Sequence, residues 1–108
     1  MDYLIAYVVP AIIVLLAIPM ALGKVPPNGL YGFRTPKTMS SSDIWYPANR
    51  VAGVFMIAAA ILSIVVNSVL LAMSPDWPDS TLSGWMSVSL IAPLLLSLVG
   101  SFVYLRRL

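Results

Sequence analysis

Arg34 stands in a stretch dense with groups that bind anions, KVPPNGLYGFRTPKTMSSSDIWYPANR, residues 24–50. Its planar guanidinium suits a carboxylate or phosphate held by two parallel hydrogen bonds. Thr35, Thr38, Ser40, Ser41 and Ser42 place hydroxyl donors around the same anion. The competing reading pairs Arg34 with Asp43, or extends it to lipid headgroups, so that it only orders the loop. Catalysis has less to work with. The chain contains no Cys and no His, which removes thiolate nucleophiles, zinc sites of the usual kind and imidazole acid–base chemistry. Asp43 is the lone carboxylate near Arg34, and Lys37 the lone base of any kind near the serines. These residues predict binding rather than catalysis, with no catalytic residue, metal ligand or cofactor; a lipid-modifying reaction stays open.

The elements that must position this segment follow from composition. Of 108 residues, 60% are hydrophobic and 9% charged, and the mean hydropathy is +0.96. Soluble domains carry roughly 25% charge. A soluble enzyme is therefore excluded, and a net charge of +2 is too small and local for a nucleic-acid binder. Three uncharged apolar runs, at about 3–22, 51–73 and 85–105, each have the ~20 residues that cross ~30 Å of hydrocarbon. The first run follows Met1-Asp2 with no basic residue before Lys24, unlike a cleaved signal peptide. The expected fold is all-α: a single polytopic membrane domain over residues 1–108, with three transmembrane helices and a short interfacial helix in the first cytoplasmic loop. Lys24, Arg34, Lys37 and Arg50 fall in that loop and Arg106 and Arg107 at the C-terminus, whereas Asp2, Asp76 and Asp79 fall on the other side. The positive-inside rule then places the N-terminus outside and the C-terminus in the cytoplasm. Lys24, Lys37, Arg50, Arg106 and Arg107 serve as topology determinants and lipid contacts. Trp77 and Trp85 belong to an outer aromatic belt, Trp45, Tyr46 and Tyr104 to an inner one.

Local signals refine this outline. Pro26-Pro27-Asn28-Gly29 reads as a turn. Gly32 lies in a short irregular stretch at the interface, and Pro36 pushes Thr35 out of helical angles. Ser40 or Ser41 caps the short helix, with Asp43 in its first turn and Ile44, Trp45 and Ala48 on its apolar side. Trp45, Asn49 and Ala52 share one face if that helix runs on into the span. Pro47 predicts a bend between the two, or the start of a new helix. Asn49 is placed to hydrogen-bond the Arg34 loop backbone. Within the spans, Pro10, Pro19 and Pro93 predict kinks, or a cavity between helices. Ala52, Ala59, Ala60 and Ser63 in the second span, with Ser97, Gly100 and Ser101 in the third, predict close packing within a bundle or between copies of the chain as a homo-oligomer. Asn67, the one amide deep in a span, is expected to join helices. The connector SPDWPDSTLSG reads as rigid and plain. The absence of a deep charge argues against proton relays and ion-coupled transport.

The run Tyr31-Gly32-Phe33-Arg34-Thr35-Pro36-Lys37-Thr38, followed by Ser41 or Ser42, Trp45, Asn49 and Gly53, resembles the core signature of the SdpI family of small bacterial membrane proteins. The resemblance covers residues 24–73 by motif and the third span by hydropathy. It implies a bacterial cell membrane. It also implies an immunity factor that binds or neutralises a toxic peptide, as the longer name-giving member does while holding a transcriptional repressor at the membrane. This chain has little outside the shared unit and is expected to be the family domain alone. The implied binding residues are Arg34, Thr35, Thr38, Ser41, Asp43, Trp45 and Asn49, with Gly32, Pro36, Pro47 and Gly53 shaping the loop and helix. The implied partners are membrane lipids, a toxic peptide or a regulatory protein. Two other readings compete: a small-anion or lipid-headgroup binding or transport module, and an assembly subunit of a membrane complex.

Overall fold

The computed structural model describes residues 3–73 and 76–108. Three helices, α1 (Leu4–Ala21), α2 (Ser42–Met73) and α3 (Asp79–Arg106), are each long and apolar enough to cross a membrane. The chain is thus a multi-pass membrane protein, and no strand occurs among the described residues. Exposure supports the same conclusion by inversion. Ile5, Leu15 and Leu96 are 74%, 68% and 72% exposed, while Asn49, Asn67 and Ser63 are 2%, 0% and 0% exposed. Aliphatic side chains outside and amides inside are stable only in an apolar solvent.

The helix starting at Ser42 corrects one expectation. No separate interfacial helix forms; residues 42–50 are the first turns of a 32-residue α2. Ser41 is extended and its carbonyl receives the Trp45 N–H at 3.0 Å, which starts the helix. Asp43 falls in the first turn, as the dipole favours. Pro47 lies inside the helix and neither ends nor restarts it. At 1.5 Å per residue α2 is about 48 Å long, so about 18 Å of it projects beyond the hydrocarbon. That projection carries the loop. The loop itself holds only a 3-10 turn, Thr38–Ser40.

α2 packs on both other helices, and α1 and α3 barely touch each other. Small residues permit the contact. A Cβ at Gly53 would lie 2.6 Å from the Ala21 nitrogen and 2.9 Å from the Ala17 oxygen, so α1 and α2 meet backbone to backbone. At Gly100 a Cβ would meet the Phe55 ring at 2.9 Å. Ala52, Ala59, Ala60 and Ser63 are all buried on α2. Deeper in the bundle, Asn67 donates to the Ala6 carbonyl at 2.9 Å and accepts from Ser89 Oγ at 2.9 Å. Pro10 has no N–H to offer the Ala6 carbonyl four residues earlier in α1, so Asn67 supplies the missing donor. Ser63 and Ser89 hydroxyls meet at 3.2 Å and extend this network.

The ends of the bundle differ in charge. Lys24, Arg34, Lys37, Arg50, Arg106 and Arg107 gather at the loop end; Asp76 and Asp79 lie at the other. There Tyr3 donates its hydroxyl to Asp79 at 2.7 Å, which holds the Tyr3 phenol above its ordinary pKa. Trp77 and Trp85 are exposed near that end, where a belt was expected. Asp2, and Ser74 and Pro75 of the expected rigid connector, lie outside the described residues.

Candidate functional site

α1 ends in a Schellman motif. Lys24 N–H reaches the Pro19 carbonyl at 2.9 Å and Gly23 N–H the Met20 carbonyl at 3.0 Å, with Gly23 at φ +69°. Arg50 Nη2 lies 3.1 Å from where a Gly23 Cβ would stand, so a guanidinium covers the negative end of α1. The chain then turns back across the first turns of α2. Asn28 builds the turn alone: its Nδ2 donates to the Pro26 and Tyr31 carbonyls at 2.8 and 2.9 Å, and its Oδ1 accepts from Leu30 and Tyr31 N–H at 2.9 and 2.8 Å. From sequence Asn28 was read as part of the Pro-Pro-Asn-Gly turn but not as a site residue.

Two α2 side chains clamp the loop. Trp45 is fully buried and donates Nε1–H to the Val25 carbonyl at 2.8 Å. It is therefore a core residue under the loop, not the belt residue expected, because a backbone carbonyl satisfies its indole inside the protein. Asn49 accepts from Phe33 N–H at 2.6 Å and donates to the Phe33 and Trp45 carbonyls at 3.2 and 3.0 Å. Gly32 makes this approach feasible. Its φ is +116°, and a Cβ there would stand 2.8 Å from Asn49 Oδ1 and 3.1 Å from the Trp45 ring. Thr35 and Thr38 close the next turn: Thr35 N–H donates to Thr38 Oγ1 at 2.7 Å and Thr38 N–H to Thr35 Oγ1 at 3.1 Å. Pro36 sits between them, outside any helix.

The sequence-derived residues therefore divide. Thr38, Trp45 and Asn49 are buried and their polar atoms are engaged within the fold; Gly32, half-buried in the loop, lies against Trp45 and Asn49, and Gly53 lies at the α1 contact. Arg34, Ser41 and Asp43 are exposed, as are Pro36, Lys37 and Lys24, and Thr35 is half-buried. Among the described residues no ion pair joins Arg34 to Asp43. Arg34 is exposed and follows Phe33, whose backbone Asn49 pins.

Behind the pinned backbone lies an apolar groove of about 570 Å³ between α1 and α3, floored by Ala52 and Met56 of α2. Tyr31 and Phe33 close its loop end, and Phe33 packs edge-on against Phe102 of α3 with ring centres 5.1 Å apart. Burial raises the Tyr31 phenol pKa. No group of His, Cys, Asp or Glu able to hold a metal occurs among the described residues.

A family model described as the SdpI/YfhL protein family matches residues 24–105, more than half of the chain. The chain belongs to the SdpI/YfhL family. The match begins at Lys24, the last residue of the Schellman motif, and so takes in the clamped loop, all of α2 and nearly all of α3. No curated protein and no solved structure matches the chain. Within this SdpI/YfhL chain, Asn49 and Trp45 hold the loop.

Proposed function

We propose that this chain is a membrane immunity or resistance factor that binds or neutralises a toxic peptide at the bilayer. The observation that carries the reading is SdpI/YfhL membership over the segment that contains the clamped loop. The chemistry agrees with it. Capture of a peptide needs shape, hydrogen bonds and charge, and a rigid loop presenting an unpaired Arg34 offers all three without acid–base groups. Arg34 takes a carboxylate of the peptide, with Thr35 and Ser41 beside it, while Trp45, Asn49 and Gly32 keep the loop in one conformation. The loop and the C-terminus face the cytoplasm of a bacterial cell, as the six basic residues predict. Holding a regulatory protein there is a further role of the same face.

A protection assay tests this. The protein is expressed in a susceptible bacterium, its membrane level measured, and the cells challenged with the secreted peptide of a toxin-producing relative. Wild type is expected to protect, and R34A to protect no better than empty vector at equal membrane level. R34K is expected to lose most of the protection, because an ammonium cannot make the paired hydrogen bonds of the fork. Full activity of R34K would remove the two-pronged contact, and absence of protection by well-expressed wild type would remove the immunity reading for that peptide.

A further inference from the structure

We infer that, while no peptide is bound, the groove between α1 and α3 is a site for one anionic phospholipid, with an acyl chain along the groove and the phosphate at Arg34. Three observations converge. The first is size. The groove measures about 570 Å³. A sixteen-carbon chain at ~30 Å³ per carbon, about the liquid share of one water, fills roughly 480 Å³. A lipid tail fits this space.

The second is chemistry at the groove's mouth. Phe33 lines it, and the next residue, Arg34, is exposed with no ion-pair partner among the described residues. Asn49 fixes Phe33 through both its N–H and its carbonyl, so the positions of groove and cation are coupled. A zwitterionic headgroup brings its own cation to the site; a phosphatidylglycerol headgroup does not, and leaves the guanidinium as the counter-charge.

The third is an unsatisfied group. Tyr31 lines the groove, and its hydroxyl is shut off from water without a hydrogen-bond partner in the protein. Leaving a buried hydroxyl unpaired is unfavourable. A phospholipid ester carbonyl, which sits between tail and phosphate, supplies an acceptor once the Tyr31 ring turns its hydroxyl toward the groove.

Native mass spectrometry of the protein in neutral detergent tests the assignment with no toxin present, and so independently of the immunity reading. Phosphatidylglycerol and phosphatidylcholine with the same acyl chains are the two probes. Wild type is expected to retain a single phosphatidylglycerol about fivefold more tightly than phosphatidylcholine. R34Q is expected to bring that ratio to about one. L95W adds an indole to the groove wall at a position 58% exposed in the fold, so helix packing is spared, and it is expected to lower retention of both lipids. Y31F is expected to lower retention of both while leaving the headgroup ratio unchanged. Several equivalent adducts on wild type would mean ordinary annular lipid and would overturn the site. So would retention in R34Q and L95W equal to wild type.

Discussion

Two asparagines lie on one face of α2, about five turns apart, and each joins that helix to something different. Asn67, deep in the bundle, joins helix to helix by completing the hydrogen bond that Pro10 denies to α1 and by accepting from Ser89 of α3. Asn49, near the loop end, joins helix to loop through both backbone groups of Phe33. The same side chain thus serves as internal glue in one region and as the mount of an exposed cation in the other. The difference is set by what passes opposite. A helix with an internal proline offers one orphan carbonyl. An irregular loop offers a donor and an acceptor together, and an amide can satisfy both.

The largest expected effect that would break this comparison is at Gly32. G32V places a β-branched side chain at φ +116° and against Asn49 Oδ1, and should cost about 3 kcal/mol or more. Limited proteolysis should then cut the loop while the three helices persist by circular dichroism. N49A comes next. It leaves the Phe33 N–H and carbonyl without their partner and should cost about 2–3 kcal/mol, read as faster hydrogen exchange at residues 31–35 with α1 and α3 unaffected. N67A should cost about 1–2 kcal/mol and act on the helices, with loop exchange unchanged. Its meaning is sharpened by a cycle with P10A. Alanine at position 10 restores the N–H that α1 lacks, so N67A should cost less in that background; an equal cost would show that the Ala6 carbonyl is not what Asn67 supports. The smallest stability effect belongs to R34A, within about 0.5 kcal/mol of wild type by thermal unfolding, because its side chain is exposed and makes no ion pair among the described residues.

The candidate site was legible where the signal was local. Asp43 in a first helical turn, the Pro-Pro-Asn-Gly turn and the shared face of Trp45, Asn49 and Ala52 follow from i, i+4 geometry and turn chemistry. What failed was inference about depth. Trp45 reads as an interfacial aromatic because tryptophans favour interfaces, but the Val25 carbonyl lies beside its indole only because α1 ends at Gly23 and the chain folds back. Pro47 reads as a break because a helix interior normally excludes it, yet only one carbonyl, that of Asp43, loses its helical donor, and it lies in the exposed first turns. Arg34 reads from spacing as ordering the loop, through Asp43 or lipid headgroups, or as holding an anion, and spacing does not prove either.

The sequence by itself therefore determined three apolar helices, their length, and a charge difference between the two ends, since these depend on composition summed over each segment. It also determined that a polar loop joins α1 to α2, because prolines, glycine and hydroxyls crowd residues 24–41. Only the tertiary structure decided which polar groups are engaged within the fold and which stay open. Hydrogen bonds from Asn49 to Phe33, from Trp45 to Val25 and from Asn67 to Ala6 span 16, 20 and 61 residues. No periodicity encodes a pairing at such separations. It arises when helices packed through Gly53 and the small-residue face of α2 bring the groups within reach, in surroundings where an unpaired polar atom is costly.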